Sequence, residues 1–473
     1  MEIAMMLAVF TPIGGAFLLP LVGRRSPKFR NILAFLLVAF SLLASLSLLR
    51  AAMSGQAAFW RYSIPLGLDL IFKADALGVF MATVSSFIGL IIVFYSFGYI
   101  QHQSNQNEYY LMVVLFLGSM VGLVYSQSLI YLYLFWEIAA ICCWRLIGFF
   151  RESDTVLRAD KAFLITVFGA IAMLFGFIMI YNNFGSFDLG ALKGHEVPDL
   201  AVMLIMFGIF SKSATLPFHT WLPDAGVAPS PVTALLHAAV LVKIGVFVFA
   251  RIFVGTLAMS AVWDQILPVV IAMSALVAGG AALVENNIKR IIAYSTVSQL
   301  AFIFLGLLMH NRLAIAGALL FILMHGVSKA GLFLCAGIVE HSAHTKDIRQ
   351  MGGLAKTMPV TAFSFALCAL SVMGIPPFGG FFGKFMVIAG AAQDHRPWLA
   401  AVFIIGAVLT ILYLLRLFIR VFLGDLKLPQ AKEGSATMLY AVALLAALSL
   451  ISGFLVKIPS DFIQIAVRQM VGY

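Results

Sequence analysis

Charge is what this sequence has least of. Acidic and basic residues make up 11% of its 473 positions and hydrophobic residues 62%, whereas charged residues make up about 25% of a soluble domain. A soluble fold of this composition would have no surface to present to water. Cysteine is nearly as scarce. Cys142, Cys143, Cys335 and Cys368 all fall inside apolar runs, and none stands in a CxxC spacing. The converging thiolates that zinc and iron–sulfur sites need are therefore missing, and packing is the role left to these residues. No P-loop and no GxGxxG fingerprint occurs. The chain is expected to carry no cofactor and no metal of its own.

What is plentiful is uninterrupted apolar sequence. About fourteen such runs recur, from 3–22 at one end to 437–457 at the other, and runs of this kind are long enough to cross a hydrocarbon core of roughly 30 Å. This predicts an all-α polytopic membrane protein in contact with the lipid bilayer. The first run has no basic leader and no small-residue cleavage site, so it reads as a retained helix rather than a signal peptide. The net charge of +10 would suggest nucleic acid in a soluble protein, but here it serves orientation. With fourteen crossings and an outside start, seventeen basic residues fall on the inside and nine on the outside. The positive-inside rule favours that orientation, with both termini outside.

Four basic residues fit neither set: Lys212, Lys243, Lys329 and Lys384 lie within apolar runs, and Glu137 joins them in SLIYLYLFWEIAAICCW. An ionisable group at bilayer depth costs a few kcal/mol and marks an ion route by default. Snorkelling to the interface is the alternative; it fits Glu137 worst and Lys384 best. Lysine suits proton relay because burial lowers its ordinary pKa of about 10.4 and a nearby carboxylate restores it. Glu137 is the carboxylate placed centrally in an apolar run, and so the natural partner for one of the lysines.

Two runs are too long for one straight helix and carry proline inside: 199–226, with Pro217, and 359–392, with Pro376 and Pro377. Proline frees backbone groups that must find protein or water partners in a membrane. Lys212 precedes the first break and Lys384 follows the second. Interrupted segments in corresponding halves point to a transporter repeat, here two five-helix units at 108–254 and 260–422. A three-helix segment at 1–107 precedes them, and a final helix and tail at 423–473 follow. His237 lies six residues before Lys243, and His325 lies four before Lys329 on the same helix face. Both are candidates to pass protons, or simply to satisfy a buried hydrogen bond. His219 and Asp224 near the first break are further candidates for proton uptake, Asp224 alternatively as a helix cap. Arg145 marks a helix end or tunes Glu137.

In order and spacing, several segments resemble one family: LFWE at 134–137, SKSATLPFHTWLPDA at 211–225, PVTALLHAAVLVKIGVF at 231–247, NNIKRIIAYSTVSQL at 286–300, HGVSKAGLFL at 325–334 and GIPPFGGFFGKF at 374–385. The chain is similar to the antiporter-like subunits shared by respiratory complex I (the NADH–quinone oxidoreductase), group 4 membrane-bound hydrogenases such as formate hydrogenlyase, and multisubunit Na⁺/H⁺ antiporters. The resemblance implies about fourteen transmembrane helices, two inverted five-helix repeats and two broken helices. It also implies a proton route in which Glu137 pairs with Lys212 and the line continues through Lys243 with His237 and Lys329 with His325 to Lys384. Lys289 and Arg290 read as loop anchors. The function expected is proton translocation within a redox-driven complex of the prokaryotic cytoplasmic membrane. Iron–sulfur, NiFe or flavin groups would then reside in hydrophilic partner subunits, beside other membrane subunits. The alternative is a Na⁺/H⁺ antiporter subunit without redox chemistry.

Overall fold

The computed structural model describes residues 1–65, 68–239 and 241–472. The chain opens with α1 (Glu2–Ala16) and α2 (Leu19–Arg25), two arms of one apolar segment bent by 47°. Helix α3 (Pro27–Ser47) starts at Ser26, whose hydroxyl accepts from Phe29 N at 3.3 Å, and is continued by α4 (Leu49–Met53). There follow α5 (Ala76–Tyr99), α6 (Gln106–Tyr125), α7 (Leu129–Ile147), α8 (Ser153–Phe184), α9 (Asp199–Lys212) and the short α10 (Trp221–Asp224). Helix α11 (Ser230–Ala234) runs through a π-helical turn at Leu235–Ala239 towards α12 (Leu241–Phe249). The remainder is α13 (Trp263–Val284), α14 (Ile288–Leu308), α15 (Arg312–Ala343), α16 (Pro359–Met373), α17 (Gly379–Gln393), α18 (Pro397–Phe422), α19 (Ala436–Phe454) and α20 (Lys457–Val471).

Among the described residues, eleven helical spans are long and apolar enough to cross a membrane, twelve when the bent α1–α2 pair is taken as one span. The two segments with internal proline, expected as two of about fourteen crossings, are each split into shorter helices that are not long enough by themselves. Phe168, Leu164 and Phe363, each about three-fifths exposed, turn apolar side chains outward, which suits lipid rather than water. The innermost elements are α11–α12, α14 and α15.

Two features depart from an all-helical reading of the runs. Strands β1 (Ala58–Tyr62) and β2 (Leu70–Ala74) pair antiparallel, Ala58 opposite Ala74 and Tyr62 opposite Leu70. Aromatic and branched residues in AFWRY and LIFKA suit a half-buried pleat. The expected tail after the last crossing contains a helix, α20. It buries Phe462, Ile463, Ala466, Val467 and Met470 at helical spacing and packs on α5 and α15. Gln469 Oε1 accepts from Ala76 N at 3.0 Å, at the start of α5.

Both interrupted segments break where proline predicts. Helix α9 ends at Lys212, and Ala214 takes a positive φ of 50° before the chain resumes. Helix α16 ends at Gly374, whose φ of 81° is the left-handed stop that glycine favours. The two halves of the second segment lie very close: a Cβ on Gly380 would stand 2.0 Å from the Ser371 carbonyl oxygen. Helix α17 also meets α15 backbone to backbone. A Cβ on Gly383 would fall 3.0 Å from Phe321 N, and one on Gly390 2.9 Å from Ala314 N. Small residues permit such approach between membrane helices.

Candidate functional site

The broken helices and the central helices together bury a row of ionisable side chains. Lys212, at the last residue of α9, is 1% exposed. Its ammonium donates to the Trp136 carbonyl on α7 at 3.4 Å and stands 5.1 Å from the Trp136 ring centre. A cation at the C-terminal end of a helix is favoured by the helix dipole. Glu137 follows Trp136 on α7 and is half-buried. The direct Glu137–Lys212 pairing that the resemblance implies is not formed here: Glu137 Oε1 has no hydrogen-bond partner among the described residues. The two groups are nonetheless on neighbouring positions, since Lys212 holds the carbonyl one residue away.

Lys243 on α12 is fully buried, and among the described residues its ammonium has no hydrogen-bond partner. It lies against α15 at Gly326, where a Cβ would come within 3.1 Å of Nζ. His325, next in the chain, is also fully buried, with both ring nitrogens unpartnered among the described residues. Its ring is 5.6 Å from that of Phe321. His237 occupies the π-helical turn with both nitrogens unpartnered among the described residues and its ring 4.4 Å from that of Phe333. One turn from His325, Lys329 donates to the Ile292 carbonyl at 3.0 Å and to Ser295 Oγ at 2.6 Å. Tyr413 donates to the same hydroxyl at 2.9 Å. Lys384 on α17 reaches back across the second break to the Val372 carbonyl at 2.8 Å. It sits 4.8 Å from the Phe302 ring centre and 5.7 Å from that of Phe321. The row therefore runs from α7 and α9 through α12 and α15 to α17, and His325 and Lys384 share Phe321.

Other candidates lie beside this row. Asp224 makes no helix cap; it binds Arg158, Lys161 and Arg290, with Lys161 at 2.7 Å. Arg145 is bonded to Glu108, which also takes Arg151, so it behaves as a helix-end residue. His219 is half-buried beside the first break, its Nδ1 unpartnered among the described residues. Pro217, Pro376 and Pro377 are exposed on the surface of the chain.

Sequence reasoning missed Lys289 and Glu340. Lys289, read as a loop anchor, is 1% exposed and forms an ion pair with Glu340 at 2.5 Å. Its signal lies in register: α14 begins at Ile288, so Lys289 belongs to a helix turn rather than a loop. Ser295 and Tyr413 were missed too, as neutral residues in apolar runs. Glu285, in the loop before α14, accepts from Asn286 N, Asn287 N and Arg290. Partial burial pushes its carboxyl up, but these bonds outweigh burial and hold it below the usual range.

Fold and site together define a polytopic membrane protein built around buried ionisable groups. Residues 126–410 match the family described as NADH:quinone oxidoreductase/Mrp antiporter, transmembrane region, and residues 60–110 match the complex I chain 5 N-terminus. The chain belongs to this antiporter-like family. It is 32% identical over 489 aligned positions to Na(+)/H(+) antiporter subunit A1 of Staphylococcus aureus; the match covers 94% of this chain and 60% of that protein. The chain thus spans about three-fifths of the length of that relative. In the solved Mrp complex from Dietzia sp. DQ12-45-1b, one chain superposes with a TM-score of 0.90 at 22% identity, over 100% of this chain and 98% of the other. That likeness establishes the fold.

Proposed function

We propose that this chain is a proton-translocating membrane subunit of a multisubunit Na⁺/H⁺ antiporter. The observation that carries the reading is the continuous burial of Lys212, Lys243, His325, Lys329 and Lys384 across helices in mutual contact. Such a row works by charge. Two unit charges about 8 Å apart repel by about 2 kcal/mol at an effective dielectric near 20, so a proton arriving on one lysine drives the next to release its own. His237 and His325 suit the intermediate positions because imidazole both takes and gives a proton near neutral pH. Glu137, adjoining the carbonyl that holds Lys212, is the group whose approach or withdrawal would start the sequence.

The redox-driven complex, the first expectation from sequence, gains no support from the relatives. The printed name of the Staphylococcus aureus relative is that of an antiporter, and this favours the alternative. Partners proposed are accordingly other membrane subunits; hydrophilic redox subunits are not. The test uses everted vesicles containing the chain with its partner membrane subunits, energised to an acidic interior. The expected result is that added Na⁺ collapses the pH gradient with the native chain and not with Lys212→Ala. Acidification driven by a redox donor and indifferent to Na⁺ would overturn the antiporter reading and restore the redox one.

A further inference from the structure

A buried proton row needs a connection to water, and a candidate lies at the face where α13 meets α14 and α15 ends. A polar cavity of about 770 Å³ opens there, lined among others by Glu285, Asn287, Glu340, His344, Lys346 and Asp347. Glu340 stands between this cavity and the interior, its side chain 19% exposed. It pairs with Lys346 on the cavity side at 3.1 Å and with the buried Lys289 behind it at 2.5 Å. From Glu340 a ladder of polar groups leads inward along α15. Ser230 Oγ donates to Glu340 Oε2 at 3.2 Å, and Tyr99 OH to Ser230 Oγ at 3.4 Å. One turn deeper, Gly337 lets two hydroxyls crowd against the helix: a Cβ there would stand 2.4 Å from Ser230 Cβ, 2.7 Å from Ser230 Oγ and 2.9 Å from Tyr95 OH. Tyr95 in turn donates to the Leu334 carbonyl at 2.9 Å. The next rung is Phe333, against which His237 lies with both nitrogens unpartnered among the described residues. Lys329 follows, about 16 Å of helix from Glu340 at about 1.5 Å per residue.

We propose that Glu340 is the proton-exchange residue joining this cavity to His237 and Lys329, with Lys289 as its fixed counter-charge. The proposal rests on the proton-row reading above. Glu340 takes a proton from cavity water and passes it inward by way of the Ser230 and Tyr95 hydroxyls to an imidazole nitrogen of His237; the carboxylate left behind is reloaded from the cavity. Anchoring of the neighbouring loop does not require the pair. That loop is already pinned by Ile288 N to Lys346 O and Ile348 N to Asn286 O, both at 2.9 Å, around the Asn287–Asp347 bridge. The charged and titratable groups facing Glu340 are Lys289 from α14, Lys346 from the loop, and Tyr95 and Tyr99 from α5.

The experiment measures Na⁺-dependent proton flux against pH in vesicles containing the assembled complex, for Glu340→Gln, Glu340→Asp, Gly337→Ala and Lys329→Ala, with the assembled amount and melting temperature of each. Glu340→Gln is expected to lower flux at least about tenfold, the low end of what a positioned acid–base group supplies, and to flatten the pH profile. Glu340→Asp keeps the profile's shape. Gly337→Ala, which displaces the Ser230 and Tyr95 hydroxyls without altering charge, lowers flux as well. A well-assembled Glu340→Gln complex with native flux and profile, while Lys329→Ala is inactive, overturns the exchange role alone. So does a loss of flux that merely follows the assembled amount with an unchanged profile. Native flux in Lys329→Ala as well overturns the proton-row reading itself.

Discussion

The two interrupted segments hold their lysines differently. At the first, Lys212 is the last residue of its half-helix and spends its hydrogen bond on a different helix, at the Trp136 carbonyl beside Glu137. At the second, Lys384 belongs to the later half-helix and reaches back to Val372, one of the carbonyls that the end of α16 leaves unpaired. Both ammonium groups thus rest at the negative end of a helix dipole over aromatic rings. They differ in what stands next to them. Lys212 has a half-buried carboxylate one residue from its hydrogen-bond partner. Lys384 is in contact with the Val372 carbonyl and two phenylalanine rings, with no carboxylate bonded to it among the described residues. The same electrostatic seat is therefore built twice, once beside a carboxylate and once with neutral contacts.

The sharpest way to break this comparison is to remove either charge. Lys212→Ala and Lys384→Ala are each expected to cut Na⁺-dependent proton flux by about 100-fold or more, equivalent to about 2.7 kcal/mol. If one variant alone is silent, the row ends short of that break. Lys384→Arg sharpens it further. Guanidinium keeps the charge but does not give up its proton in a protein, so flux should fall as far as in Lys384→Ala while the complex assembles normally, checked by gel filtration. Next comes packing. Gly380→Ala places a methyl against the Ser371 carbonyl, and overpacking of this kind costs about 1–3 kcal/mol, to be read as a lower melting temperature in detergent. The smallest effect concerns Glu285. Its folded-state pKa is depressed, so its stabilising contribution is present above the unfolded value of about 4.3. That contribution is lost as pH falls through the folded value. Glu285→Gln should therefore melt slightly lower than the native chain near neutral pH and lose less on acidification.

Most of the architecture was legible because the membrane makes deviation expensive. Against uniform apolar sequence, Lys212, Lys243, Lys329, Lys384 and Glu137 stand out, and prolines 217, 376 and 377 announce the breaks where the helices do split. The less legible parts lie where runs end. A basic residue there is equally consistent with a solvated loop and a first helix turn, which is how Lys289 escaped notice and Glu340 with it. The β1–β2 hairpin was hidden for a similar reason: its strands are five residues each, too short to register against helices of twenty or more. The contact of Lys212 with a carbonyl instead of the Glu137 carboxylate is a matter of a few ångströms between helices, which spacing along a chain does not encode.

The glycine seam between α15 and α17 has a mechanical meaning. Where the helices meet at Gly383 and Gly390, only the Cβ and backbone atoms of Phe321 and Ala314 stand against the glycines, so small residues bring the two backbones close. Lys329 and Lys384 are carried on those two helices like terminals soldered to one board. The spacing between them is therefore set by backbone packing at Gly383 and Gly390 rather than by long side chains between the helices.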